Sequence, residues 1–226
     1  MYKIETHMHT RPVSFCAYLE PEEMIALHAE HGYNTVFVSD HFAINHFARL
    51  GDLTWQEKTG LMYESYLKAK AAGEKAGITV LFSPELTLEG NHYLLYNADL
   101  DFLNSREDFF YITMEEFHEY AVEKDVSIIQ AHPLRDGKCV PKPQYVIGFE
   151  AINSNPRHEN FDEESLRFAK ESGLLITAGS DAHRLEDVGG AAVLSPFEIK
   201  SADDYLNLLK SGQAQLMHHG RIISLE

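Results

Sequence analysis

Side chains that bind metal ions recur near both ends of this sequence, at a spacing of two residues. His7 and His9 are separated by one residue, and so are Asp181 and His183. Because residues i and i+2 of an extended segment point to the same side, each pair can hold one ion. Mixed imidazole and carboxylate ligands suit zinc, manganese or iron, and such ions activate water. The spacing therefore predicts a metal-dependent hydrolase.

Further side chains of ligand type lie between the two pairs. His41 follows Asp40, and Glu85 and His132 each come shortly after a predicted strand, whereas His92 opens one. One zinc ion takes only three or four protein ligands, so this set indicates two or three divalent ions bridged by a carboxylate. The other internal histidines have no neighbours of ligand type, and we interpret them as structural: His28, His31, His46, His118 and His158.

Alternating strands and helices would position these residues. The predicted strands are 3–6, 34–39, 78–83, 92–96, 127–130, 146–152, 174–177 and 215–218. The predicted helices begin at Pro21, within 57–75, at the Thr113–Glu116 capping box, at Asp162 and at Ser201. Strands separated by helices imply a largely parallel sheet, either open or closed into a barrel. Ligand-type residues at the carboxyl ends of such strands stand where α/β folds place active sites. We expect a single domain, 1–226.

The ordered motifs H-M-H, S-D-H, P-E, A-H-P and G-S-D-A-H resemble those of the PHP (polymerase and histidinol phosphatase) family. The segment ITAGSDAHRLEDVGG is especially similar to the final motif of that family, and the resemblance extends from His7 to about Gly190. It implies an α/β fold, a distorted seven-stranded (β/α) barrel of TIM-like, PHP type, with metals at the strand carboxyl ends.

The resemblance also implies roles for individual residues. His7, His9 and Asp181 would bind a first ion, Glu85 would bridge it to a second, and His92 and His132 would complete that second site. His41 and His183 would bind a third ion. Catalysis would fall to Glu85, Asp181 and His41. A hydroxide bridging two ions would attack phosphorus in line, and His41 would donate a proton to the leaving alkoxide or position the group that does so.

The sequence departs from the family at the third site. Members with a full third site supply a His or Asp shortly after H-x-H, but here that stretch reads TRPVSFCAY and holds neither before Glu20. Cys16 is the one residue there that could ligate a soft metal, and an ordinary buried thiol is the preferred interpretation. Two ions are therefore expected, with a third left open.

Several positively charged or polar residues follow the motifs and would bind a phosphorylated substrate. Arg135 follows A-H-P-L, Arg184 follows D-A-H, and Asn153 ends a predicted strand. The formal net charge of −16 disfavours nucleic-acid partners. There is no apolar run of membrane-spanning length, no signal-peptide pattern and only two cysteines, which predicts a cytoplasmic protein without membrane contact. The oligomeric state is left open.

Phosphatase activity on small phosphomonoesters is the leading hypothesis. A phosphodiesterase or exonuclease of short oligonucleotides is a close variant. An amidohydrolase also uses H-x-H and a metal pair, although those enzymes commonly bridge the metals with a modified lysine and not with a glutamate. A non-catalytic metal-binding module is the third alternative.

Overall fold

Twelve β-strands and seven α-helices make up the computed structural model, which describes residues 1–225. The strands are β1 (Tyr2–Met8), β2 (Thr35–Val38), β3 (His41–Phe42), β4 (Thr79–Phe82), β5 (Glu85–Leu88), β6 (Asn91–Tyr96), β7 (Ser127–Gln130), β8 (Gly148–Asn153), β9 (Leu175–Gly179), β10 (Ala191–Ser195), β11 (Gln215–His218) and β12 (Arg221–Ile223). The helices are α1 (Pro21–Glu30), α2 (Ile44–Arg49), α3 (Trp55–Ala76), α4 (Leu100–Asn104), α5 (Met114–Glu123), α6 (Asp162–Ser172) and α7 (Ala202–Lys210).

The strands form two six-stranded sheets. The first has the order β12-β11-β10-β1-β2-β4 and the second the order β3-β5-β6-β7-β8-β9. An isolated parallel bridge between Met8 and Ala182 joins the end of β1 to the segment that follows β9. The end of β1 and the end of β9 therefore lie side by side, which brings the two i,i+2 ligand pairs together.

The mixed α/β class is confirmed, but the predicted count of seven strands is wrong and a closed barrel is not confirmed. Within residues 1–225, five of the ten named strand pairs are antiparallel, so the sheets are not largely parallel. Two tight hairpins, β5–β6 and β11–β12, account for two of the five antiparallel pairs. Glu89 and Gly90 connect β5 to β6, and His219 and Gly220 connect β11 to β12, all with positive φ. This is the backbone geometry of two-residue hairpin turns, which need no intervening helix.

The predicted helix boundaries mostly hold because their local signals are strong. The Thr113–Glu116 capping box begins α5, and Ser201 accepts a hydrogen bond from the amide of Asp204 at the start of α7. Gly77 ends α3 in the left-handed conformation. The prediction that Asp162 caps α6 is wrong: it is the first helical residue, and its carboxylate accepts the amide of Asn153 instead.

Two apolar clusters hold the sheets in place. The larger packs α1, α3 and α5 against the strands, and the smaller packs α7 against β10 and β11. No helix within residues 1–225 has both the length and the apolar character needed to cross a membrane. The clusters fix the strand ends, and hence the side chains that follow them.

Candidate metal centre

Four buried side chains converge near the carboxyl ends of β1 and β9 and the first residue of β5. We call His7, His9, Glu85 and Asp181 the floor cluster. The Nε2 atoms of His7 and His9 lie 3.0 Å apart, and His9 Nε2 lies 3.0 Å from Asp181 Oδ1. His7 Nε2 lies 3.2 Å from Glu85 Oε1 and 3.5 Å from Asp181 Oδ1. Nitrogen and carboxylate oxygen atoms thus surround one small volume.

Glu85 is the central member of this arrangement. Its Oε1 lies 3.1 Å from His92 Nδ1 and 3.3 Å from His132 Nε2, and its Oε2 lies 2.6 Å from His41 Nδ1. The contact with His41 is a close ion pair, and the buried Oε2 atom has no other polar partner at hydrogen-bond distance among residues 1–225. An unsatisfied buried carboxylate oxygen is costly in free energy unless a cation neutralises it.

Hydrogen bonds from behind fix which nitrogen of each floor histidine faces inward. His7 Nδ1 lies 3.0 Å from the Glu150 carboxylate, which can only accept, so Nδ1 carries the proton. His9 Nδ1 lies 3.3 Å from Ser14 Oγ, which itself donates to Asp40 at 2.7 Å. Ser14 must therefore accept from His9. In the neutral ring of each histidine, Nε2 presents its lone pair to the cluster, as it does in metal-binding histidines.

The electrostatics of the floor favour a cation. Burial alone would raise the pKa of Glu85, but His92, His7 and His41 outweigh it, and the pKa falls well below its usual range. Burial likewise opposes ionisation of Asp181, and Arg135 with His7 lowers the pKa of that carboxyl well below its usual range. Burial would lower the pKa of His7, but Glu150, Asp181 and Glu85 raise it well above its usual range. A field that retains a proton on His7 also favours a metal ion there.

Backbone strain accompanies two of these residues. His132 and Asp181 follow β7 and β9 with φ of 30° and 52°, in the left-handed region that non-glycine residues rarely occupy. Such strain is often found at functional sites, where the surrounding structure over-determines a side-chain position.

All eight residues predicted as metal ligands lie together. Ligand atoms approach within 4.8 Å of one another in four overlapping triads drawn from these eight residues: His7–His9–Glu85, His7–His132–Asp181, His41–Glu85–His92 and His9–His41–His183. Three or four ligands of this chemistry suit one zinc-like ion, and shared members suit adjacent ions. The residues present therefore fit a metal centre.

The predicted substrate residues occupy different depths. Arg184 lines the cavity of about 530 Å³ that opens above the cluster, and its guanidinium stacks on Tyr18. Arg135 also lines this cavity, but its guanidinium donates to Asp181 at 2.6 Å and to Asn153 at 2.8 Å. Asn153 is buried, and its amide group donates to Glu150 at 2.8 Å. Asn153 thus lies behind the cluster, where it holds two of its neighbours.

Several residues at the site were not predicted from the sequence. His46 was interpreted as structural, yet its ring lies 4.4 Å from that of His41. Cys16 was interpreted as a buried thiol, which is wrong: it is exposed, and its Sγ lies 3.2 Å from His41 Nε2. Although the residue reaches solvent, its thiol is partly enclosed, and this desolvation opposes ionisation; hydrogen bonds with His183 and His41 nevertheless lower the pKa of the thiol to about 6. Arg157 and Lys138 also line the cavity.

Glu150 could have been found from the sequence. It is a charged residue in the middle of the apolar run GFEAIN, and all six residues of that strand are buried. A buried carboxylate requires a partner, and here His7 is that partner. The loop residues Cys16 and His46 gave no comparable signal, because their neighbours in space come from other parts of the chain.

Comparisons with known proteins find a matching family segment and solved structures of similar fold. A model of the PHP-associated family (PHP_C) matches residues 160–214. A two-domain protein from Bacteroides vulgatus, containing a predicted PHP-like metal-dependent phosphoesterase, aligns with 99% of this chain at 14% identity and a TM-score of 0.71. This chain spans only 66% of that protein. No curated protein sequence matches the chain.

Two other solved structures have a similar fold. A candidate metal-dependent phosphoesterase from Bifidobacterium adolescentis aligns with 93% of this chain, and this chain covers 95% of it, at 14% identity and a TM-score of 0.54. An amidohydrolase from Chromobacterium violaceum, with bound sulfate and no metal, aligns with 95% of this chain, and this chain covers 97% of it, at 15% identity and a TM-score of 0.57. At these identities the likeness concerns the fold. The matched family segment supports the resemblance to the PHP family carried by the motifs. The structure adds a histidine and carboxylate cluster that is compatible with metal binding.

Proposed function

We propose that this protein is a metal-dependent phosphoesterase, and most specifically a phosphatase of small phosphomonoesters. The observation that carries the proposal is the floor cluster, in which buried nitrogen and oxygen atoms converge around the unsatisfied Oε2 of Glu85. Two of the structural relatives are described as phosphoesterases, which supports the same reaction class. The protein would thus be a hydrolase of phosphate ester bonds.

Two ions are proposed for the cluster. His7, His9 and Asp181 would hold one, His92 and His132 would hold the other, and Glu85 would lie between them. When bound, such ions supply Lewis acidity toward a phosphoryl group and activate water. Zinc, manganese and iron all suit this mixture of imidazole and carboxylate ligands.

Residues of the chain would orient this chemistry. Glu150 holds the His7 ring through Nδ1, and Arg135 holds the Asp181 carboxylate, so both ligands are fixed before substrate arrives. His41 lies at the boundary between the buried cluster and the cavity, with Nδ1 toward Glu85 and Nε2 toward Cys16. It is placed to give a proton to a leaving group, or to position the group that does so.

The cavity walls suit an anionic, small substrate. Arg184 and Lys138 contribute positive charge to the wall of a cavity of about 530 Å³, on a chain whose net charge is −16. Arg135 and Arg157 line the same wall but are paired with Asp181 and Asp187. Local positive charge in an otherwise acidic protein guides a compact anion to one place and disfavours an extended polyanion. A phosphomonoester of metabolite size therefore fits better than an oligonucleotide.

The test is hydrolysis of nitrophenyl phosphate by manganese-loaded protein, with bis-nitrophenyl phosphate and chelator-stripped protein in parallel. We expect turnover of the monoester that stripping abolishes and that Asp181→Asn abolishes. His118→Gln is the control, because His118 lies on α5 and donates to the Tyr145 carbonyl away from the cluster. Metal-loaded protein that hydrolyses neither ester would contradict the phosphatase proposal.

Amide hydrolysis is a second candidate, since one relative of similar fold is an amidohydrolase. The bridging position distinguishes the two reactions. Glu85 occupies the centre of the cluster, whereas Lys138, which lines the cavity, is exposed. A panel of N-acyl amino acids and cyclic amides would measure this activity directly. Turnover of an amide with no turnover of either ester would favour it over the phosphatase.

A further inference from the structure

The segment TRPVSFCAY, which holds neither a histidine nor a carboxylate, contributes an arginine and two aromatic rings to a second cavity. Arg11, Phe15 and Tyr18 line this cavity of about 450 Å³, which we call the side pocket. Cys16 and Arg184 line both the side pocket and the cavity above the floor cluster, so the two cavities adjoin at these residues. The side pocket therefore lies next to the place that the leaving group of a substrate would occupy.

Backbone hydrogen bonds hold this segment in one shape. The amide of Arg11 donates to the Leu19 carbonyl at 2.9 Å and closes the loop at its base. The amide of Tyr18 donates to the His183 carbonyl at 2.9 Å, which ties the segment to the residue directly before Arg184. A segment fixed in this way loses little conformational freedom when a ligand binds, and this favours affinity.

The two aromatic rings of the side pocket are held in place and yet exposed. Phe15 is 38% exposed, although its ring centroid lies 5.7 Å from that of His46 and 5.4 Å from the guanidinium of Arg49. Tyr18 is 61% exposed, and the guanidinium of Arg184 lies 4.4 Å from its ring centroid. Single exposed rings are common on protein surfaces. Two rings on the wall of one concave cavity offer stacking surface to a planar ligand.

The chain compensates the positive charge of the side pocket poorly. The side chain of Arg11 is exposed and has no ion pair within residues 1–225. Arg184 Nη1 lies 3.8 Å from the exposed Glu186 carboxylate, and Nη2 lies 3.4 Å from the Tyr18 hydroxyl. An exposed ion pair and a hydrogen bond of these lengths are weak. Two such arginines on a chain of net charge −16 favour an anionic group of a ligand at this place.

We propose that the side pocket binds the leaving group of the substrate, and that this group contains an aromatic ring and a negative charge of its own. Phe15 and Tyr18 would contact the ring, and Arg11 and Arg184 would bind the charged oxygen atoms. The proposal rests on the proposed function in placing the phosphoryl group at the floor cluster. It narrows the substrate class to aromatic phosphomonoesters that carry a second anionic group, either a carboxylate or a phosphate.

Binding of phosphonates tests the side pocket without any measurement of turnover, because they lack the ester bond of the proposed reaction. Benzylphosphonate and cyclohexylmethylphosphonate form a matched pair that differs in the planarity of the ring. Isothermal titration calorimetry on manganese-loaded protein should show about three- to tenfold tighter binding of the benzyl compound. A carboxylate or a second phosphonate at the para position of that ring should each tighten binding by a further factor of about ten.

Variants assign these preferences to residues. The double variant Phe15→Leu/Tyr18→Leu keeps apolar side chains and should remove the preference for the benzyl compound. Arg11→Gln should remove most of the gain from the para charge. Tyr111→Leu and Arg167→Gln are the controls, since both residues are exposed and lie outside the two cavities, and they should leave the affinities unchanged. The substituted positions are all exposed, so circular dichroism should show folded proteins.

Equal affinities of native protein for the benzyl and cyclohexylmethyl compounds would overturn the role of the rings. A para charge that does not improve binding, or that improves it equally in Arg11→Gln, would overturn the role of the arginine. The proposed function can fail separately. Protein that hydrolyses neither nitrophenyl ester but shows these preferences would keep the side pocket as a binding site, whereas ester hydrolysis without the preferences would keep the phosphatase and exclude the side pocket.

Discussion

The floor and the mouth of the cavity are built in different ways. Floor residues lie at strand ends, are buried, and are held from behind by side chains such as Glu150 and Ser14. At the mouth, Cys16 and Arg184 lie in loops and His46 in a short helix, and all three have solvent access. Strand ends in a packed sheet permit little adjustment, whereas loop residues tolerate change. From this comparison we expect the floor cluster to determine whether the reaction occurs. The residues at the mouth should determine which molecule enters the cavity.

The largest expected effect is at the floor. Asp181→Asn removes the carboxylate charge that lies 3.0 Å from His9 Nε2. We expect kcat/KM for the best ester to fall by about 10²–10³-fold or more, because the ion proposed for this position would contribute several kcal/mol to transition-state stabilisation. Steady-state kinetics with metal analysis checks this. If Asp181→Asn retained full activity, the floor would not be the reaction centre.

A substitution at Glu150 tests whether the residue that holds His7 from behind affects metal binding as strongly as the floor residues do. Glu150→Gln keeps the shape of the side chain but removes the charged acceptor of His7 Nδ1. We expect metal affinity to fall about 10–100-fold, the usual effect of losing an outer-shell carboxylate. Competition with a fluorescent chelator measures it. As a control, Glu116→Gln removes the capping-box carboxylate of α5, away from the site, and should leave metal affinity unchanged.

Gly179 tests how closely the floor is packed. A Cβ atom at this position would lie 2.7 Å from His7 Cβ and would also collide with the carboxylate of Glu150. We expect Gly179→Ala to lower the free energy of unfolding by about 1–3 kcal/mol, as overpacking does in cores. Urea denaturation checks this value.

Gly60 supplies the matched control for that substitution. It lies inside α3, and a Cβ atom there would meet nothing within 4 Å. Gly60→Ala should raise the free energy of unfolding by about 0.5–1 kcal/mol, because alanine is the better helix former. Destabilisation of equal size in both variants would contradict the packing argument.

A smaller effect is expected for a charge at the mouth. Arg184→Ala removes a half-exposed guanidinium from the cavity wall. We expect KM for an anionic ester to rise about tenfold, the size of one charged hydrogen bond in a partly solvated site, with little change in kcat. Arg167 lies on α6 outside the cavity-lining residues, and Arg167→Ala is the matched control. A loss confined to kcat would indicate instead that Arg184 acts in the reaction step, as we expect of the floor residues, and not in substrate binding.

The smallest effect is the pH dependence of Cys16 in chelator-stripped protein. The thiolate is the reactive form, and the pKa of this thiol is lowered to about 6. The alkylation rate of Cys16 should therefore rise with pH below about 6 and level off above it. The pKa of Cys139 is raised, since burial is its largest influence, so the rate at that cysteine should still be rising at pH 9. Peptide-resolved mass spectrometry separates the two, and identical profiles would contradict the prediction.

Local signals explain which parts of the fold were predictable. Capping residues and left-handed glycines marked the helix ends, as Thr113, Ser201 and Gly77 show. The short strands were missed because two-residue turns such as Glu89–Gly90 leave little trace between apolar runs. Pairing direction was also missed, because hydrogen bonding between β1 and β10 joins segments about 190 residues apart. The single-domain organisation and cytoplasmic location stay predictions.

The sequence by itself determined which residues of ligand type would come together, because histidines and carboxylates stand at fixed spacing near apolar runs that are typical of buried strands. The eight predicted ligands do lie together. Only the tertiary structure decided that Glu150 stands behind His7, that Arg135 holds Asp181, and that Cys16 and His46 flank His41. These contacts join residues from different elements and loops, and the directions of loop side chains depend on packing and hydrogen bonds that no local pattern encodes.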